Sequence, residues 1–140
     1  FITISIHQED YDETNKYISN IMTNTIVDSF ISNIELSSGY SIDVDYKEVN
    51  NEKMIYTTGK TRIYKGNELY IEYTNIVIGD INGDGLINST DLLRVRQHLL
   101  GKKVLDGAYF LASDINYDNT INSTDLLRIR QHLLGKKEIK

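Results

Sequence analysis

The chain has 140 residues, 40% of them hydrophobic, a net charge of -5, and no cysteine, proline or tryptophan. A disulfide framework is therefore excluded, and no apolar run approaches the roughly 20 residues that a membrane-crossing helix needs. The charge is uneven: residues 1–79 hold 6 Lys+Arg against 12 Asp+Glu, whereas residues 80–140 hold 9 against 8, and six of those eight acids sit in two short loops.

In chain order, Phe1 to His7 alternates as a strand does, with no basic and apolar leader before it, so the chain reads as a piece of a longer polypeptide. Thr25-Ile26-Val27-Asp28 has the pattern of a capping box opening a short helix through Ile34. Tyr40 to Tyr46, Met54 to Thr57, Lys60 to Tyr64 and Leu69 to Ile78 are rich in β-branched and aromatic residues and are predicted strands, with Lys65-Gly66-Asn67 as a hairpin turn. Eight of the ten tyrosines lie in this half. They could form a platform for carbohydrate, but the alternating pattern and the absence of tryptophan favour core and edge packing. The last strand runs into Asp80 without a linker, so the two halves are expected to touch.

Asp80 to Asp91 reads DINGDGLINSTD, with side-chain oxygen at positions 1, 3, 5, 9 and 12 and glycine at position 6. That spacing wraps an oxygen cage around calcium. Asp80, Asn82 and Asp84 would supply side-chain ligands, Leu86 its carbonyl, Asn88 a held water, and Asp91 the closing carboxylate. Asp114 to Asp125, DINYDNTINSTD, offers Asp114, Asn116, Asp118, the Thr120 carbonyl, Asn122 through water, and Asp125 in the same order. Two features depart from the full EF-hand pattern. Position 6 of the second loop is Asn119, which tolerates positive φ, and both loops close with Asp in place of Glu. A strand precedes loop one where an EF-hand has a helix, and only the stretch from Asp106, a potential cap, to Ala112 precedes loop two. Each repeat is thus a loop with an exit helix. With two calcium ions bound, residues 80–140 would change from +1 to +5 and present a basic surface suited to an acidic partner. The spread of these charges over two helices, without interleaved aromatics, argues against nucleic acid.

The exit helices are predicted over Leu92 to Leu100 and Leu126 to Leu134, each stopped by glycine and followed by paired lysines. At about 100° per residue, Leu92, Val95 and Leu99 form one stripe suited to a core, as do Leu126, Ile129 and Leu133. A second stripe is formed by Leu93 and Leu100 with Arg96 and Gln97, and by Leu127 and Leu134 with Arg130 and Gln131. It either covers a neighbouring helix or forms a protein-binding face, with Ser89-Thr90 and Ser123-Thr124 at its rim. Repetition would then give two equivalent faces about an approximate twofold axis, so that a partner could dock in either of two orientations. His7, His98 and His132 have no carboxylate or nucleophile pattern beside them, and the two helical histidines fall on the polar arc, where solvent exposure is expected. No catalytic constellation is present, and the chain is read as a non-enzyme.

The paired repeats, INSTDLLRVRQHLLGKK and INSTDLLRIRQHLLGKK, each behind an aspartate-rich loop, resemble dockerin modules over residues 79–137. The resemblance implies calcium-dependent binding of a cohesin module and attachment of a larger secreted protein, such as a carbohydrate-active enzyme, to an extracellular scaffold or cell surface, without membrane contact by this fragment. It also implies that Ser89, Thr90, Ser123 and Thr124 contact cohesin. Arg96 and Arg130 occupy a usual basic contact position, while Gln97 and Gln131 stand where a second basic residue is common. The first half is similar to the X modules that precede some dockerins, on the strength of TGKTRIYKGNELYIEYTNIVIGD. The expected architecture is α+β: a strand-rich X module with one short helix over 1–79, then an all-α dockerin over 80–140 with EF-hand-like repeats at 80–103 and 114–137. A calcium sensor or buffer, or a carbohydrate-binding first half, are the competing functions. The sensor is disfavoured by the missing entering helices and by the two methionines both lying in the first half.

Overall fold

The computed structural model describes residues 2–4, 11–12, 16–136 and 139. Among them the elements run β1 (Ile2–Ile4), β2 (Tyr11–Asp12), β3 (Tyr17–Ile21), α1 (Val27–Ile31), β4 (Ile34–Leu36), β5 (Tyr40–Val44), β6 (Lys47–Val49), β7 (Glu52–Met54), β8 (Lys60–Lys65), β9 (Glu68–Val77), α2 (Ser89–Leu99), α3 (Gly107–Ser113) and α4 (Ser123–Leu133). The fold is α+β, strand-rich first and helical afterwards.

A five-stranded sheet in the order β2-β3-β9-β8-β5 forms the frame, with β3 parallel to β9 and the other pairs antiparallel. β1 pairs with β4, and β6 with β7, in two small antiparallel ribbons. Alternation along β8 buries Thr61 and Ile63 and turns Lys60, Arg62 and Tyr64 outward. On that outer face the Arg62 guanidinium binds Asp45 at 2.8 Å and Glu72 at 2.9 Å, tying β8 to the segment after β5 and to β9. One core lies between the sheet and α1, where Ile18, Ile21, Phe30, Val44, Ile55, Ile63, Tyr73 and Val77 are buried together. A second core gathers Ile81, Val95, Leu105, Ala112, Ile115, Ile129 and Ile139 with Ile76 and Ile78 from the end of the β9 segment. The strand leading into loop one therefore serves both cores, and α3 packs against it.

Several sequence expectations are corrected. Of Phe1 to His7, Ile2–Ile4 form β1 and the remainder lies outside the described residues. The helix near Thr25 is shorter than predicted: its N-cap is Ile26, which makes no side-chain cap, and Ile34 belongs to β4. Thr25 does not close a capping box because its hydroxyl donates to the Met22 carbonyl at 2.6 Å. Residues 55–57 lie outside any strand; β7 ends at Met54. β2, β3, β4 and β6 were not predicted. β3 draws its identity from pairing with β9, and β4 from pairing with β1, so neither needs a strong local pattern.

Candidate metal centres and docking faces

Loop one starts where β9 ends, and its side chains are organised by backbone amides. Asp80, fully buried, accepts from the amides of Gly83 and Asp84 at 3.1 Å and of Gly85 at 3.0 Å. Asp84 accepts from the Leu86 amide at 2.9 Å. Asp91, the third residue of α2, reaches back to the amides of Ile81 and Asn88, each at 2.8 Å, and of Asn82 at 3.1 Å. Loop two repeats the design. Asp114 accepts from Asp118 and Asn119, Asp118 from Thr120, and Asp125 from Ile115, Asn116 and Asn122.

The carboxylates converge. One oxygen from each of Asp80, Asp84 and Asp91 lies within 4.8 Å of the others, and the same holds for Asp114, Asp118 and Asp125. A calcium ion holds oxygens at about 2.3–2.6 Å, so ligands on opposite sides of it lie about 5 Å apart, and both clusters fit that size. Asn82 and Asn116 stand in the same loops, and Leu86 and Thr120 follow the third ligand position, where their carbonyls would complete the oxygen set. Asn88 and Asn122 act as N-caps of α2 and α4, accepting from the amides of Thr90 and Thr124 at 3.0 Å.

Three carboxylates held this close favour a dication or a proton. Burial raises the Asp80 carboxyl from its ordinary 3.8 to about 7, opposed by the hydrogen bonds from Thr57 and Gly85 and reinforced by the charges of Asp91 and Asp84. Burial likewise raises Asp91 and Asp114. Asp118 is lowered by the amide and hydroxyl of Thr120. A bound cation reverses the cost of burying the charges, which is the chemistry that this donor set can supply.

The two exit helices are nearly superposable in local geometry. Their N-caps have φ/ψ of -147°/-170° and -144°/-170°, and both end in a glycine at φ 71°, with Lys102 and Lys136 amides returning to the carbonyls of Gln97 and Gln131 at 2.9 Å. Val95 and Ile129 are fully buried, with Leu92 and Leu126 half-buried beside them. Leu99 and Leu133, assigned to the core stripe by helical spacing, are instead exposed. Leu105 and Ile139, which fold back after each helix, fill the space near the helix ends.

The expectation of solvent-exposed histidines is also corrected. His98 and His132 are half-buried, and their Nδ1 atoms accept from the amides of Leu105 at 2.9 Å and Ile139 at 3.2 Å, pinning those returning segments. A histidine seven residues before an apolar residue, repeated twice, was the available signal.

The second stripe is open to solvent: Leu93 is 51% exposed, Leu100 69%, Leu127 50% and Leu134 62%. Arg96, Arg130, Ser89, Thr90, Ser123 and Thr124 are exposed beside them, and Gln97 and Gln131 are half-buried. These leucines therefore do not serve to cover a neighbouring helix among the described residues. None of the described helices is long and apolar enough to cross a membrane.

Residues 78–134 match the family model of the dockerin type I domain. No curated protein matches the chain.

Proposed function

We propose that this chain uses its dockerin module, residues 78–134, as a calcium-dependent adaptor that binds a cohesin module of a scaffold or surface protein. The proposal extends to an extracellular setting, to a larger protein carried by the adaptor, and to residues 1–79 as an X-type support for the dockerin. The observation that carries the reading is the duplicated exit helix, which holds its leucine pair in solvent directly behind a converged carboxylate cluster. In this reading two calcium ions are held. Asp80, Asn82, Asp84, Leu86 and Asp91 serve one, and Asp114, Asn116, Asp118, Thr120 and Asp125 the other.

Calcium would act on binding through the fold. Asp91 and Asp125 are at once candidate ligands and the third residues of α2 and α4, so an ion drawn to them fixes where each helix starts and how its outer face is aimed. The face itself would combine apolar anchors (Leu93, Leu100, Leu127, Leu134) with hydrogen-bonding and charged groups (Ser89, Thr90, Arg96, Gln97 and their repeats Ser123, Thr124, Arg130, Gln131). Among the described residues the sheet-bearing half packs against loop one and α3, and the outward residues of both exit helices are exposed, which supports a reading with two docking orientations.

The test is calorimetric titration of the chain against a panel of cohesin modules, with calcium and again with chelator. Tight binding that vanishes with chelator and returns with calcium is expected. A chain that binds two calcium ions, folds, and engages none of the cohesins would overturn the adaptor reading.

A further inference from the structure

The two loops share ligand spacing but not surroundings. In loop one, Asn82, Asp84 and Leu86 are half-buried and Gly83 and Gly85 buried; in loop two, Asn116, Tyr117, Asp118, Asn119 and Thr120 are all exposed. The cover over loop one comes from the sheet-bearing half. The Thr57 amide donates to Asp80 Oδ2 at 2.9 Å, the same carboxylate that the loop's own amides organise. The Lys47 ammonium, 4.6 Å from the centroid of the Tyr56 ring, donates to the Gly83 carbonyl at 2.7 Å.

This wall is tied down by hydrogen bonds, and it is built at a cost. Tyr56 to Gly59 form a turn closed by the Gly59 amide on the Tyr56 carbonyl at 3.1 Å, and Thr58 sits in it at φ 80°, a conformation that a β-branched residue rarely adopts. Such strain persists only where surrounding contacts enforce it. Those contacts are present. Thr58 donates to the Asn75 carbonyl at 2.9 Å, Asn75 donates to Gly59 at 2.8 Å, and the Thr57 hydroxyl bridges the amide and carbonyl of Val77. The turn is thereby fixed to the strand that delivers Asp80, with Thr57 N–H aimed at the carboxylate.

The loop sequences agree with this contact. A Cβ on Gly83 would lie 2.8 Å from the Thr57 carbonyl oxygen, which only glycine avoids. The matching residue in loop two is Tyr117, at φ 58° and exposed. Positive φ at that position is thus tolerated by a large side chain that stands half in solvent. The wall, and not backbone conformation alone, explains the glycine.

We propose that the sheet-bearing half is a working part of loop one, with Thr57 and Lys47 as positioning residues, so that the two loops hold calcium unequally: loop one releases its ion slowly and loop two exchanges freely. The inference rests on the calcium reading above. It gives residues 1–79 a defined task, that of keeping one half of the adaptor assembled when free calcium falls.

The experiment is stopped-flow release of calcium from the full chain into a fluorescent chelator. Wild type should release two ions in two phases at least tenfold apart in rate, and Asp114→Ala should retain only the slow one. Gly83→Ala should speed the slow phase at least tenfold, while Tyr117→Ala leaves the fast phase within twofold. Lys47→Met keeps the stem over Tyr56 and tests the clasp if Gly83→Ala does not fold. Removing a positive charge near a bound dication would by itself slow release, so faster release from Lys47→Met isolates the lost clasp. Two ions leaving in one phase, a slow phase lost in Asp114→Ala, or unchanged release from a folded Lys47→Met would each overturn the inference and leave the adaptor reading intact. Failure to bind calcium at all would overturn both.

Discussion

Loop one and loop two begin from almost the same text and differ in what stands over them. Both place three carboxylate oxygens within 4.8 Å and both cap their exit helix with asparagine. Loop one, however, is roofed by a turn from the sheet-bearing half, and its residues at positions 4 and 6, Gly83 and Gly85, are buried where loop two exposes Tyr117 and Asn119. Ligand spacing is a local property that duplication copies intact. Tolerance at the intervening positions depends on the neighbour, and only one copy has this one.

The comparison breaks most completely if both loops are disarmed. Asp80→Ala with Asp114→Ala is expected to leave residues 80–140 largely unfolded even with calcium present, read as collapse of amide dispersion in that half. Native-like dispersion of the double variant without metal would show that the two loops do not hold the fold.

The single variants sharpen it. Asp80→Ala strands the amides of Thr57, Gly83 and Gly85 and leaves Asp84 only its 3.3 Å bond to Asn82, whereas Asp114→Ala removes the acceptor of Asp118 and Asn119. At about 1–3 kcal/mol for a buried amide left unpaired, and less for exposed ones, Asp80→Ala should cost several kcal/mol more in denaturant unfolding. Equal losses would mean that the roof adds nothing.

Proton competition should separate the metal-free and loaded forms. The Asp80 carboxyl stands near 7 in the fold and near its ordinary 3.8 when unfolded, so between these values the folded chain holds a proton that the unfolded chain has released. Raising pH through that window therefore removes stability from the metal-free fold, whereas calcium, which needs the carboxylate, binds more tightly in the same direction. Thermal melts with chelator should fall from about pH 5 to about pH 7.5, and melts with excess calcium should not fall in parallel.

The outer faces should be where the comparison fails, because they are alike. Altering Ser89-Thr90 alone or Ser123-Thr124 alone should change cohesin affinity only a few-fold, and altering both pairs should abolish binding in the same titration. Complete loss from one pair would show a single docking orientation. The smallest effect is expected at Asn119, held at φ 66°: Asn119→Ala should cost loop two about 1 kcal/mol of stability by differential unfolding, and Asn119→Gly much less.

Much of this was legible in the sequence because it is local. Asp80 to Asp91 and Asp114 to Asp125 carry the candidate-ligand spacing within twelve residues, and Gly101 and Gly135 carry the helix ends. The starts were misread: α2 and α4 begin at Ser89 and Ser123, three residues before the predicted Leu92 and Leu126, because Asn88 and Asn122 cap them. The long strands β8 and β9 announced themselves by β-branched and aromatic content. Helical spacing alone misassigned Leu99 and Leu133, since it gives the face of a residue but not where the neighbouring element stops. His98 and His132 were misread for the same reason, their partners being amides of segments that return only in three dimensions.

The sequence by itself determined the two oxygen-rich loops and the presence of an exit helix behind each, which follow from spacings of one to twelve residues; that the leucine pairs face solvent was decided by the structure. Only the tertiary structure decided that the loops are unequal. The contact of Thr57 with Asp80 spans 23 positions and that of Lys47 with Gly83 spans 36, and no local pattern encodes which turn will come to rest over which carboxylate.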